Sequence, residues 1–153
     1  MQPNNLQRYI RRVRQTDIKA VIKFLDSELT EEERYFFPCR KEELQAIIEG
    51  DIDVAYVVLS VMDNTIQAYG HMRTFNNKFE IPSLGIAVGK DFRGQGIGEE
   101  LCRCMLYIAK AMGFRETLLK VNIINEKAAK LYIKLGFKEY KRDEVHIWML
   151  KQL

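Results

Sequence analysis

Apolar positions along the chain recur with two periods, and the switches between them mark out the elements. Ile97, Leu101, Met105, Ile108 and Met112 are three or four residues apart, which places them on one face of a helix over Gly96 to Met112, with Gly113 as the stop signal. Ile18, Val21, Ile22 and Leu25 predict an earlier helix capped by Thr16 or Asp17. Lys41 to Ile48 reads as a short helix ended by Gly50, and Glu126 to Leu135 as another stopped by Gly136. Thr30 and Glu33 have capping-box spacing, but Tyr35-Phe36-Phe37-Pro38 soon interrupts.

Between these lie strand-like runs. They are Leu6 to Val13, Val54 to Val61, Ile66 to Phe75, Ile81 to Val88, Thr117 to Val121 and Val145 to Leu150, with a further short strand at Phe137 to Tyr140. Turn residues at 62–65, Asn76-Asn77 and 141–144 separate several of them, so residues 54–88 read as an antiparallel meander. The order is that of a mixed α/β (α+β) chain, a mostly antiparallel central sheet flanked by about four helices.

Composition narrows this picture. With 153 residues, 47% of them hydrophobic and 29% charged, residues 1–153 are expected to form a single domain with a full core. The net charge of +3 provides no strong field for nucleic acid or an anionic membrane, so any anion site must be local. Nucleic-acid binding through Arg8, Arg11, Arg12 and Arg14 is a competing reading that this charge disfavours. Cys39, Cys102 and Cys104 form no CxxC pair, and only His71 and His146 could join them, which supports neither a disulfide scaffold nor a metal site. Residues 1–5 are polar rather than signal-like, and Val54 to Met62 is too short to span a bilayer. The expectation is a cytoplasmic protein with no membrane segment.

Candidate chemistry concentrates between residues 83 and 137. Ser83-Leu84-Gly85-Ile86-Ala87-Val88-Gly89 alternates small and bulky residues, so one face of that strand is nearly bare, either for a ligand or for close packing under a helix. Asp91-Phe92-Arg93-Gly94-Gln95-Gly96-Ile97-Gly98 then leads directly into the best helix. Such a turn lets backbone N–H groups converge on an anion at the positive end of a helix dipole. Glu99 stands where a third glycine of G-x-G-x-x-G would fall and no G-K-[ST] follows, which excludes the dinucleotide and P-loop readings.

A strand motif, the glycine turn and Val121-Asn122-Ile123-Ile124-Asn125-Glu126-Lys127-Ala128-Ala129-Lys130-Leu131-Tyr132-Ile133-Lys134-Leu135-Gly136-Phe137 follow in order. Together they resemble the GNAT superfamily of acyl-CoA-dependent N-acetyltransferases. Arg93, Gly96 and Gly98 match its Q/R-x-x-G-x-G/A cofactor motif. Val121, Asn125, Ala128, Leu131, Tyr132, Lys134, Gly136 and Phe137 match its downstream motif. The resemblance implies a sheet splayed between the Ser83 to Val88 and Thr117 to Val121 strands, with acetyl-CoA as acyl donor and no metal. It implies that the backbone of Ile86, Ala87 and Val88 pairs with the pantetheine arm. It further implies that the N–H groups of Arg93, Gly94, Gln95, Gly96, Ile97 and Gly98 hold the pyrophosphate. By the same similarity Asn125 meets the pantetheine amides, Tyr132 meets the thioester sulfur, and Val88 or a neighbouring N–H receives the oxyanion.

Acyl transfer to a neutral amine needs an oxyanion donor and a proton for the departing thiolate, and a phenol such as Tyr132 suits the second task. Many family members carry a Glu on the 83–88 strand; this chain has no acid between Ile81 and Gly89. Glu80, His71 or a water chain are the candidates for the base. Lys127, Lys130 and Lys134 share a helix face, either solvated or near cofactor phosphates. Cys102 and Cys104 point to different faces and read as packing residues. Glu28, Glu31, Glu32 and Glu33 beside Tyr35, Phe36 and Phe37 could receive a cationic amine, or simply enrich a helix N-terminus in acid. The resemblance implies a primary amine of a small molecule or protein as acceptor; the alternative is a catalytically silent acyl-CoA-binding module of the same fold. An exposed final strand offers an edge for a homodimer.

Overall fold

The computed structural model describes residues 7–38, 40–75 and 79–153. Leu6, Cys39 and the Asn76-Asn77 turn lie outside the described residues. The elements run β1 (Arg8–Arg12), α1 (Ile18–Glu28), α2 (Glu31–Arg34), α3 (Lys41–Glu49), β2 (Val54–Ser60), β3 (Ile66–Arg73), β4 (Ser83–Val88), α4 (Ile97–Ala111), β5 (Glu116–Asn122), α5 (Glu126–Lys134), β6 (Lys138–Arg142) and β7 (His146–Gln152).

Most boundaries follow the sequence pattern, and two departures have local causes. Asp17 does not cap α1 with its side chain; a 3-10 turn over Gln15–Asp17 precedes the helix. Its carboxylate instead accepts from both terminal nitrogens of Arg11, at 2.6 and 2.9 Å, and from the Arg14 N–H at 2.7 Å. The Arg11 guanidinium thereby holds the Asp17 carboxyl below its ordinary value. The Thr30–Glu33 capping box does form, with reciprocal bonds of 3.2 Å, and nucleates the one-turn α2. Helices among the described residues therefore number five rather than four.

The strands form one sheet in the order β1-β2-β3-β4-β5-β7-β6, antiparallel except for β4 beside β5. Each face has its own core. α4 lays Ile97, Leu101, Met105 and Leu106 on one face, against Ala68, Met72, Leu84, Leu119, Ile147 and others; each such burial contributes about 1.5–3 kcal/mol. α1 and α3 cover the other face with Val21, Phe24, Leu25, Leu44 and Ile47 over Val57, Tyr69 and Ala87. Cys102 is buried and Cys104 half-buried, as their different faces require. The final strand β7 lies inside the sheet because the β6–β7 hairpin folds it against β5, so the exposed edge here belongs to β6. No helix among the described residues is long and apolar enough to cross a membrane.

Candidate active site

β4 and β5 begin together and then separate. β4 pairs with β3 from Ser83 to Val88, and β5 pairs with β7 along its whole length, but β4 and β5 share only the Ser83–Leu118 register position. Near that closed end the Leu118 N–H donates to the Pro82 carbonyl at 3.0 Å. Beyond it lies a gap in the sheet. The Gly89 N–H donates to the Gln67 carbonyl at 2.9 Å on the β3 side. Backbone groups of successive residues alternate between strand edges, so Ile86 and Val88 turn their N–H and C=O groups into the gap. The Val88 carbonyl accepts there from Arg93 Nε at 3.2 Å.

The strand's small-residue face is not bare. Ala87 is buried in the α1/α3 core and by the same alternation its backbone faces β3, so of the three expected positions only Ile86 and Val88 offer backbone to the gap. A Cβ on Gly85 would collide with Nε2 of His71, its register partner on β3. The opening in this sheet is along an edge, where splayed strands leave hydrogen bonds unmade, rather than over a face.

His71 is accordingly not placed to act as a base. Its ring is buried against Phe37 and Tyr69, at centroid distances of 5.2 and 5.6 Å, with Nδ1 3.3 Å from the Tyr69 hydroxyl. Burial pushes its pKa down to about 3, so the ring is neutral and a weak base. Glu80 is exposed in the bend before β4, at the closed end of the gap and six residues before Ile86. Neither expected base is brought to the open end.

The glycine turn stands at the open end. Gly94 and Gly96 have φ of +77° and +79°, a conformation that L side chains rarely adopt, and a Cβ on either would meet nothing within 4 Å. Their role is conformational, and the surface above them is open. Gly96 caps α4 with no side-chain acceptor, which leaves first-turn N–H donors available beside the exposed Arg93 and Gln95. Ile97 is buried and anchors the helix start. Two first-turn acids would oppose an anion, but each is ion-paired. Glu99 meets Arg103 at 2.9 Å and Lys134 at 3.0 Å, and Glu100 meets Arg8 at 3.1 Å. Arg8 also donates to the Gln95 carbonyl at 3.3 Å. This brace from β1 has no local sequence signal.

α5 supplies the remaining parts. A Cβ on Gly98 would lie 3.5 Å from Val88 Cγ2 and 3.8 Å from Leu131 Cδ2, so the glycine turn, β4 and α5 converge at this point. Asn125 caps α5 by accepting from the Ala128 N–H at 3.3 Å, which commits its carbonyl oxygen and leaves its amide N–H groups as donors. Tyr132 packs edge-to-face on Phe137 at 5.8 Å. Burial, with a smaller effect of Cys102, raises its phenol above the ordinary value, so it carries its proton at neutral pH. Lys127 and Lys130 are exposed.

The acidic segment before Pro38 is dispersed. Glu28 accepts from the Lys90 N–H at 2.7 Å, Glu32 from the Asn122 amide at 3.4 Å, and Glu33 closes the α2 capping box. The helix-start reading of these acids therefore accounts for Glu33, while Glu28 and Glu32 tie their segment to the rims of the gap.

Comparison with known proteins agrees with this geometry. Residues 17–137 match the family model described as the acetyltransferase (GNAT) family. An N-alpha-acetyltransferase of Sulfurisphaera tokodaii is 32% identical over 145 residues, which cover 86% of this chain and 81% of that protein. N-alpha-acetyltransferase 30 of Schizosaccharomyces pombe is 40% identical over 57 residues, and the chain spans only 38% of its length. The structure of the paia N-acetyltransferase of Thermoplasma acidophilum in complex with coenzyme A shares the fold, with a TM-score of 0.79 at 19% identity over 97% of this chain and 100% of that one.

Proposed function

The chain belongs to the acetyltransferase (GNAT) family, and from that premise we propose that it moves an acetyl group from acetyl-CoA to a primary amine by direct attack. The observation that carries this reading is the β4–β5 gap, with the glycine turn at its mouth and Tyr132 on the adjoining helix.

The residues present fit acetyl-CoA, which supplies the activated acyl group. Backbone N–H groups of Arg93 to Gly98 and the start of α4 hold the pyrophosphate. Backbone groups of Ile86 and Val88 align the pantetheine arm along the unpaired edge of β4, and the Asn125 amide donates to its carbonyls. The Val88 N–H, turned into the gap, stabilises the charge that develops on the acyl oxygen. Tyr132 retains its proton and donates it to the departing thiolate. The acceptor's own proton leaves through water, since the described residues bring neither His71 nor Glu80 to the open end. Cys102 sits in the core, and burial pushes its thiol up to about 12. That opposes a covalent acetyl-cysteine step.

Two relatives carry N-alpha-acetyltransferase in their names, which supports an α-amino group as the acceptor, and the chain's lack of a membrane-spanning helix among its described residues is compatible with action in the cytoplasm. The test is thiol release from acetyl-CoA in the presence of short peptides with free N-termini, beside polyamines and amino sugars. Release that depends on a peptide and yields an acetylated α-amine supports the reading. Saturation with acetyl-CoA and no product from any amine would contradict it and mark a silent binding module.

A further inference from the structure

On the sheet face opposite α4, a row of side chains runs from the far wall of the gap, β5, outward to the edge strand β6. Lys120 of β5, Trp148 of β7 and Lys141 of β6 are register partners in sequence across the three strands. The Lys120 ammonium lies 4.8 Å from the ring centroids of both Trp148 and Phe36, and the Lys141 ammonium 4.6 Å from Trp148. His146 closes the group, 5.7 Å from Phe36 and 5.9 Å from Trp148. The turn after α2 delivers Phe36 here, and the Glu32–Asn122 contact ties that helix to β5.

Aromatic faces hold these ammoniums in place without neutralising them. Among the described residues neither Lys120 nor Lys141 makes an ion pair; the Lys and Arg side chains that do are Arg8, Arg11, Arg34, Arg40, Arg103, Lys134 and Arg142. The Asp143 carboxylate nearby accepts from the Val145 and His146 N–H groups at 2.8 and 2.6 Å. Lys120 lies close enough to contribute to lowering its pKa, but after those two donors and His146. Lys120 on the gap wall and Lys141 on the edge strand thus present two positioned positive charges outside any ion pair, and the rings that would bind a cation are already taken.

We propose that Lys120 and Lys141 are specificity-determining residues that select acceptor amines bearing a carboxylate near the amine, such as peptides with Asp or Glu beside a free N-terminus. This rests on the acyl-transfer reading for the identity of the site. A carboxylate there gains charge-assisted hydrogen bonds from ammoniums that need no reordering, whereas a basic acceptor meets like charge. The Coulomb effect of Lys120 also favours the neutral form of an incoming amine, the form that attacks.

Trp148 is the only tryptophan of the chain, so its fluorescence reports on this site independently of turnover. The experiment titrates the protein, with and without free CoA, with two tetrapeptides that differ only in Asp or Lys at the second position. The acidic peptide should perturb Trp148 at roughly fivefold to tenfold lower concentration than the basic one. Lys120→Met and Lys141→Met should each reduce that preference and the double variant erase it, with circular dichroism confirming the fold. Equal binding, no binding of either peptide, or a preference that survives the double variant would overturn the proposal. Tighter binding of the basic peptide would also overturn it, and would assign Phe36 and Trp148 to a cationic acceptor. Absent thiol release with the binding preference intact would count against acyl transfer and leave the carboxylate site standing.

Discussion

On the glycine-turn side of the β4–β5 gap the groups offered to a ligand are backbone donors at Gly94, Gly96 and the first turn of α4; on the α2 side they are the side chains of Phe36, Lys120, Lys141 and Trp148. The first set is specified by conformation, through two glycines at positive φ and a helix start. Almost any side chain could stand at its non-glycine positions without removing a donor. The second set is specified by identity, and one substitution changes its charge. On the proposed reading, such a division lets the acyl donor be kept while the acceptor preference is altered residue by residue.

The largest effect expected from breaking this arrangement is on Tyr132, the one side chain assigned to the bond-breaking step. Tyr132→Phe should lower kcat by about a hundredfold or more while the affinity for acetyl-CoA, measured by calorimetry, changes little. Unchanged turnover would remove Tyr132 from the proton-donor role.

A smaller effect is expected at Gly85, where the β4 wall is packed rather than open. Gly85→Ala forces the new methyl onto the His71 ring, which is buried and cannot swing away. The cost should be about 1–3 kcal/mol, read as a fall in Tm of several degrees. Adding His71→Ala should cancel part of that loss. A stability equal to wild type in the single variant would mean the ring is mobile.

His71 also gives the fold a pH dependence of known sign. Its folded pKa lies at about 3, below the usual 6.5. The unfolded chain therefore binds a proton through a window in which the folded chain does not. The contribution is fully present above pH ~6.5 and is lost as pH falls towards ~3, with a limiting slope of about 1.4 kcal/mol per pH unit. Denaturant titrations at several pH values should show a shallower acid loss for His71→Gln than for wild type. Parallel profiles would show that the ring is solvated.

The same division explains what could be read from the sequence. Backbone sites leave local signals, since a glycine turn must be followed at once by its helix, and Asn125 and Tyr132 lie within one short motif on one helix. The apolar period of α4 was equally local. Lys120, Lys141, Trp148 and Phe36 come from three strands and the turn after α2, and no local pattern aligns them. Arg8 is similarly distant from the loop it braces, so it read as one of a basic run. Chemistry and proximity in sequence point to His71 and Glu80 as bases. Strand pairing decided against both, burying one under Phe37 and leaving the other exposed in the bend at the closed end of the gap. The odd positions of β4 signalled close packing against His71 and α1, not a ligand.

On the reading proposed above, the β4–β5 gap and its glycine turn hold acetyl-CoA. The direct test is a calorimetric titration of wild type and Gly96→Val with acetyl-CoA, with ATP as the comparison ligand. Wild type should bind acetyl-CoA saturably at micromolar concentration and ignore ATP, and a folded Gly96→Val protein should lose that binding, because a β-branched residue cannot hold φ near +79° without strain. No acetyl-CoA binding by folded wild type, or undiminished binding by Gly96→Val, would contradict the account.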